Sequence, residues 1–417
     1  TKKTECKEKM SIKKTVIKET EYKGELTKER AESMQLDRQT EKTLYNYYFV
    51  TPVVKDFIRI RREGERFELT FKAHFKTTGH VTESSESTIE ISEEEAVGYL
   101  ESGIPEKIVA ELTGQKGGRA EYAAQNKTLR REGFIKDVPV SIDKCSYYGE
   151  TVYEIECEDI NKLGKIEELI KGSVTDGKIP GSKAMRTLRA EQTYTFKTLD
   201  CVLFDLDGTV LKTDEAIIPS LKKTFEIMGG EAGDDYSRFI GPPLAETMSK
   251  IFGDPVKAKE GMELYLKIYN DADAESRIRP YCGIPELFKE LREAGLKVGI
   301  ATSKGQKVAE SCLKRTGVQA DFVVGSDEKL NIRKKADILN RAIEVHFLEK
   351  EGCILIGDTF YDMAGAEKAG IKAAAVTYGY GRKGEMMLYP HMFTAESPAE
   401  TGRRIKERRQ GIEKYRL

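Results

Sequence analysis

The chain has 417 residues, 39% hydrophobic and 33% charged, with 69 basic against 70 acidic side chains and a net charge of −1. That length exceeds one ordinary core and predicts two or three domains, while the balanced charge excludes a general nucleic-acid or membrane-surface role and leaves room for a local basic cavity. Seven cysteines are scattered singly with no CxxC pair, and four histidines stand apart, so free thiols in a reducing cytoplasm are expected and a zinc site or histidine triad is not.

In chain order, residues 1–15 read as a charged tail or an extra edge strand; their start, Thr1-Lys-Lys-Thr, has no apolar leader core. Period-two segments follow at 17–23, 56–61, 67–74, 87–91, 138–142 and 152–158, and predict an antiparallel sheet or barrel. Helical insertions are expected over 93–101 and 106–113, and a helix over 160–171.

Period two puts Glu19, Glu21 and Lys23 on one strand face, and does the same for Arg59 with Arg61 and for Glu68, Thr70 and Lys72. Glu86 with Glu90 and Glu154 with Glu156 repeat the arrangement. One such strand reads as a solvated sheet face. Several together allow a closed barrel with a charged lumen, in which carboxylates hold divalent cations and Arg and Lys hold a polyanion such as a triphosphate.

The ExExK run at 19–23, then YYFVTP, RIR, FELTFK, Lys127-Thr-Leu-Arg130 and SIDK…YEIE, in that order, resembles the CYTH family of triphosphate tunnel enzymes over about residues 16–190. The resemblance implies an α+β antiparallel β-barrel (tunnel) domain. It implies Glu19, Glu21, Glu154 and Glu156 as metal ligands for Mg²⁺, with Mn²⁺ as the alternative. Lys23, Arg59, Arg61, Lys72 and Arg130 would contact the triphosphate. The family includes class IV adenylate cyclases, thiamine triphosphatases and tripolyphosphatases, so three expectations follow: hydrolysis of a triphosphate, cyclisation of ATP, or a non-catalytic polyphosphate-binding module. The chain departs from the pattern at Val50, where an acid is usual, and in TESSESTIEI, which has no arginine near Glu86.

Residues 172–198 open rich in Gly, Pro and Ser and are the candidate linker. From Cys201 the runs CVLF, KVGIAT, DFVVG, CILIGD and AAAVTYG alternate with helical stretches, which predicts a parallel sheet covered by helices. The string CVLFDLDGT sets Asp205 and Asp207 just past a buried strand, where open α/β sheets bind ligands. Two carboxylates so close repel unless a cation or proton lies between them; one can attack phosphorus while the other handles a proton. A second apolar run ends in Gly357-Asp358, with Asp362 four residues on, and all-oxygen donors suit magnesium. Thr302 ends a third run with a hydroxyl suited to a phosphate oxygen. Lys335 (or Lys334), at the start of a predicted helix in NIRKKADIL, can neutralise the nucleophile and the phosphate.

These four pieces, in this order, resemble the haloacid dehalogenase superfamily of phosphatases, nearest to its phosphoglycolate phosphatase type, over about residues 199–395. The resemblance implies an α/β Rossmann-like parallel-sheet domain with a helical cap at about 213–282. It implies that Asp205 is the nucleophile, forming an aspartyl-phosphate, and that Asp207 protonates the leaving group and then activates water. Asp205, the Asp207 backbone carbonyl and Asp358 would hold Mg²⁺ with Asp362 in support, and Thr302 and Lys335 would bind the phosphoryl group. An acid at Asp207 favours phosphoryl over carbon–halogen chemistry. Thr213-Asp214-Glu215-Ala216 lacks the histidine usual in the related mutases. The cap segment beginning Arg238-Phe-Ile-Gly-Pro-Pro is a candidate to face the leaving group. With no apolar run of about 18 residues, the expected protein is a cytoplasmic two-domain phosphohydrolase. Its partners would be a small phosphorylated metabolite and a triphosphate compound or polyphosphate, not nucleic acid or membrane.

Overall fold

The computed structural model describes residues 14–170, 182–270, 276–327 and 329–410. The chain divides into two compact units, Thr1–Gln192 and Thr193–Leu417.

The first unit is built on strands β1 (Thr15–Leu26), β2 (Asp37–Val50), β3 (Ile58–Glu63), β4 (Arg66–Thr78), β5 (Val81–Ile91), β6 (Glu121–Ile135), β7 (Val138–Tyr147) and β8 (Glu150–Cys157). They close into an antiparallel barrel in the order β1-β5-β4-β3-β2-β6-β7-β8, with β8 returning to β1 so that Lys23 lies opposite Glu156 and Glu25 opposite Glu154. Closure leaves no free sheet edge. Helices α1 (Lys28–Ser33), α2 (Glu93–Ser102), α3 (Glu106–Thr113), α4 (Leu163–Ile170) and α5 (Lys183–Thr193) accompany it. The polarity is the reverse of an ordinary small barrel. Outward-facing Tyr22, Leu26, Ile142 and Ile155 pack with Ala31 of α1 and Ile166 of α4. Inward-facing Glu21, Asn46, Thr70, Asn126, Arg130 and Glu156 are buried polar groups.

Every alternating segment read from the sequence falls within a strand, or within two residues of its end, and the expected helices at 93–101 and 106–113 are α2 and α3. The segment at 160–171 begins as one 3₁₀ turn and continues as α4. Strands β2 and β6 escaped the period-two reading because both of their faces are covered. Tyr47, Tyr48 and Phe49 are buried in succession, as are Ala124, Gln125 and Asn126. The expected tail lies outside the described residues up to residue 13, and Thr15 already belongs to β1. The expected linker at 172–198 is outside them up to residue 181, and from Lys183 it is not a linker but α5, whose Thr187 is fully buried beside Asn126.

The second unit has a six-stranded parallel sheet in the order β13-β12-β9-β14-β15-β16, formed by β9 (Cys201–Phe204), β12 (Lys297–Gly305), β13 (Phe322–Ser326), β14 (Cys353–Gly357), β15 (Lys372–Val376) and β16 (Thr394–Ala395); β10 (Leu211–Lys212) and β11 (Arg279–Pro280) form a separate pair. After β10 come α6 (Asp214–Met228), α7 (Leu244–Phe252) and α8 (Pro255–Tyr269), packed on one another; then α9 (Ile284–Glu293), α10 (Gln306–Thr316), α11 (Lys335–Val345), α12 (Phe360–Ala369), α13 (Lys383–Met387) and α14 (Pro398–Gln410). One sheet face sets Phe204 against Phe288 of α9, ring centroids 4.8 Å apart. The other buries Leu203, Ala301 and Leu355 with Ile338, Leu339 and Met363 of α11 and α12. Because β9 and β14 are neighbours in register, Phe204 beside Ile356, their C-terminal ends bring Asp205 and Asp358 together. No helix among the described residues is long and apolar enough to cross a membrane.

Candidate active sites

In the second unit Asp205, Asp207, Thr302, Lys335, Asp358 and Asp362 are all buried. Lys335, the first residue of α11, reaches Asp205 Oδ1 at 2.5 Å, Asp362 Oδ1 at 2.8 Å and the Ala301 carbonyl at 3.0 Å. It is Lys335, not Lys334, that points inward; Lys334 is exposed. The close approach of α11 to α12 depends on Gly365, where a Cβ would fall 2.5 Å from the Lys335 side chain. Asp358 accepts from Thr209 Oγ1 at 2.9 Å and from the Tyr380 amide at 2.8 Å. Asp362 accepts the Thr359 amide and hydroxyl at the start of α12, which fixes the carboxylate at a helix N-terminus.

Carboxylate oxygens of Asp205, Asp358 and Asp362 lie within 4.8 Å of one another, an all-oxygen group of the kind that holds a hard divalent cation. Burial pushes the Asp205 carboxyl up to about 7, with Asp362 and Asp207 adding to the rise against the pull of Lys335. Burial also raises Asp358 well above the usual carboxylate range, again with its acidic neighbours. One lysine does not offset three buried carboxylates, so the site is short of positive charge.

Asp207, Thr302 and Asp205 line one cavity of about 690 Å³ under α6, α7 and α8. Asp207 Oδ2 is 3.2 Å from Lys304 Nζ, and its Oδ1 is buried with no hydrogen-bond partner among the described residues. Lys304 also donates to the Tyr269 hydroxyl of α8 at 3.1 Å. Sequence reasoning passed over Lys304, although it stands two residues beyond Thr302 in the same motif. It also passed over Tyr380, whose hydroxyl accepts from the Thr213 and Asp214 amides where α6 begins.

In the first unit the predicted charged lumen is present. A cavity of about 170 Å³ is lined by Glu19, Glu21, Lys23, Arg59, Arg61, Lys72, Glu86, Arg130 and Glu156, among others. Lys72 touches Glu19 and Glu21 at 2.9 Å each and Glu86 at 3.2 Å; Lys23 touches Glu21 at 3.1 Å and Glu156 at 3.5 Å. Arg130 makes a two-pronged bond to Asp143, 2.7 Å on each arm, and meets Glu156 at 2.5 Å. Arg61 donates to Asn46 at 3.1 Å, and Arg59 stands 4.0 Å from Glu86 with a buried Nε that has no hydrogen-bond partner among the described residues. Burial, with Arg59 and Arg130 close by, lowers the Arg61 guanidinium to about 10, the mark of crowded cations. Glu154 is not on the open cavity. It is covered by Lys183 at 3.2 Å and by Arg186, both from α5, and Lys183 also bridges Asp143 at 2.5 Å and Glu156 at 2.8 Å. The compact ligand group around Glu154 is completed by Asp143 and Cys145 rather than by the other predicted glutamates. Asp143, Lys183 and Arg186 were not foreseen; Asp143 sits in the quoted SIDK run, but the lysine and arginine fall in the stretch read as a linker.

Aspartates at adjacent parallel-strand ends, a lysine at the start of α11 and a helical lid over the cavity define a hydrolase built on a parallel α/β sheet, preceded by a barrel with a charged lumen. Sequence profiles agree: that of haloacid dehalogenase-like hydrolases matches residues 202–376, and that of the CYTH domain matches residues 17–173. A pyrophosphatase PpaX from Halalkalibacterium halodurans is 36% identical over 191 residues, 45% of this chain and 86% of that protein. One from Bacillus cereus is 34% identical over 184 residues, 43% of this chain and 84% of that protein. A crystal structure titled as a predicted phosphatase from Clostridium acetobutylicum is 28% identical with a TM-score of 0.48, covering 51% of this chain and all of that one. The chain belongs to the haloacid dehalogenase-like hydrolases and carries a CYTH domain ahead of the hydrolase domain.

Proposed function

We propose that the second unit hydrolyses phosphate monoesters with Asp205 as nucleophile and Asp207 as general acid and base. The observation that carries this reading is the single cavity shared by Asp205, Asp207 and Thr302, with Lys335 bonded to Asp205 from below. The Asp205 carboxylate attacks phosphorus. The bond from phosphorus to the leaving oxygen breaks, and Asp207, acting in its acid form, gives that oxygen its proton. Asp207 then takes a proton from water as the water oxygen attacks the aspartyl-phosphate, freeing phosphate and restoring Asp205. Thr302 donates to a phosphoryl oxygen, and Lys335 spreads positive charge to Asp205 and the phosphoryl group. The carboxylate group fits a magnesium ion: Asp205, Asp358 and the Asp207 carbonyl would hold it, with Asp362 in support, and it would supply charge neutralisation to the phosphoryl oxygens when bound.

The test is phosphate release from a panel of monoesters and from pyrophosphate, the compound named for the relatives. Asp205→Asn is expected to lower the rate by at least about a thousandfold, and chelation by EDTA to abolish it reversibly on adding Mg²⁺. Undiminished turnover in the mutant sinks the nucleophile assignment.

For the first unit the reading is a binding site for a triphosphate-containing compound or polyphosphate, supported by the crowding of Arg59, Arg61 and Arg130 on one lumen. Lys23 and Lys72 add to that charge, and Glu19, Glu21 and Glu156 would hold Mg²⁺ or Mn²⁺ once the lysines beside them yield, while Glu154 stays under Lys183 and Arg186. Incubation with ATP or tripolyphosphate separates the outcomes. Phosphate release signifies hydrolysis, cyclic AMP with pyrophosphate signifies cyclisation, and saturable binding without turnover signifies a recognition module.

A further inference from the structure

The cavity over Asp205 and Asp207 has a chemical character of its own. Its lid side is walled by Ile217 and Leu221 of α6, Phe239 and Ile240 of the following loop, and Met262 and Leu266 of α8. Between residues 217 and 269 the lining includes one charged side chain, the acidic Glu246, and no Lys, Arg or His. The cations of the lining all come from the sheet side. Lys304 is already paired with Asp207, and Arg333 and Lys334 are exposed. Arg238, the cation the sequence offered for the leaving group, does not line this cavity. It bonds the Ala232 carbonyl at 2.5 Å, lies over the Phe239 ring and lines a different hollow. Its neighbours from Phe239 to Leu244 do face the cavity.

A leaving group that carries a carboxylate or a second phosphate needs donors or cations where it sits, because a buried anion left unpaired costs far more than apolar contact returns. The lid lining offers only the neutral hydroxyls of Ser249, Tyr265 and Tyr269, no cation, and adds the negative charge of Glu246. A leaving group with an apolar body finds instead about 690 Å³ of space, the size that takes a drug-sized ligand. We propose that the substrate of this site is a phosphate monoester of an organic alcohol with a bulky, apolar and non-anionic body, and that phosphoglycolate-like and pyrophosphate-like compounds are poor substrates. This rests on the reading of Asp205 as the nucleophile.

The experiment measures kcat/KM on the full chain with Mg²⁺, counting only the rate lost in Asp205→Asn. The substrates are methyl, propyl and hexyl phosphate, naphthyl phosphate, 2-phosphoglycolate and pyrophosphate. Burial of each added methylene is expected to raise kcat/KM by about threefold along the alkyl series, and naphthyl phosphate to exceed both anionic compounds by roughly tenfold or more. Leu266→Lys, at a partly exposed position that tolerates the change, is expected to narrow the gap between naphthyl phosphate and 2-phosphoglycolate by about tenfold. A flat alkyl series, or 2-phosphoglycolate or pyrophosphate equalling the best apolar ester, overturns this proposal and leaves the nucleophile intact. Absence of any Asp205-dependent turnover overturns both.

Discussion

Gly208 shows how tightly the hydrolase site is packed. Its φ of +89° lies in the left-handed region, and a Cβ there would come 2.1 Å from Asp358 Oδ2. Gly208→Ala is therefore expected to cost about 2 kcal/mol in stability and to cut Asp205-dependent phosphate release at least tenfold, as denaturation midpoints and initial rates will show. Asp205 itself links the site to pH. Its carboxyl is raised to about 7 in the metal-free fold, against an ordinary value of 3.8. The folded state thus holds a proton that the unfolded state has released, and stability present below about pH 4 is lost as pH rises through about 7. In the metal-free protein, Asp205→Asn removes this loss while Lys335 keeps Asp362 as its partner. The variant is expected to be more stable than wild type by on the order of 2 kcal/mol at pH 8, with the difference closing toward pH 4. Wild type that is equally stable at both pH values contradicts the charge shortage inferred for this site.

Helix α5 is the element whose chemistry matters most to the barrel. Through Lys183 it neutralises Asp143, Glu154 and Glu156, three carboxylates with almost no exposure. Burial alone would raise Glu156, but Lys183, Lys23 and Arg130 hold it well below the ordinary carboxylate range. A depressed carboxyl stabilises the fold above its unfolded value of about 4.5, and that contribution is lost as pH falls through the lower folded value. Lys183→Met leaves buried carboxylates without their cation and is expected to cost about 3 kcal/mol at pH 7. The penalty shrinks as acid protonates the cluster, so urea midpoints of variant and wild type converge below about pH 4.5. A constant penalty across that range would mean that Lys183 contributes packing rather than charge.

At the scale of the whole molecule, each unit has its own buried core, and each candidate site is built from residues of one unit. Calorimetry of the full chain is expected to resolve two transitions. Lys183→Met should lower one of them and leave the other, together with the Asp205-dependent rate, unchanged within about twofold. A single transition shifted as a block would show that the units unfold together.

Much of the protein was legible in its residues because two kinds of local pattern are written there. Alternation at period two marked most barrel strands, and apolar runs ending in Asp205, Thr302 and Asp358 marked the strand ends of the hydrolase sheet. Both follow from backbone geometry, which repeats within a few residues. What the chain order cannot express is which distant groups meet. Strands β2 and β6 were hidden because a charged lumen buries polar side chains, so polarity stopped reporting exposure. Lys183 and Arg186 looked like part of a linker because their carboxylate partners lie some 27 to 40 residues earlier. Arg238 looked available for a substrate until the fold turned it onto its own loop and left an apolar lid over the aspartates. Local periodicity chose the elements and named the reactive aspartates; only the packing of α5 and of the lid decided how each charge is balanced and what kind of leaving group the cavity can hold.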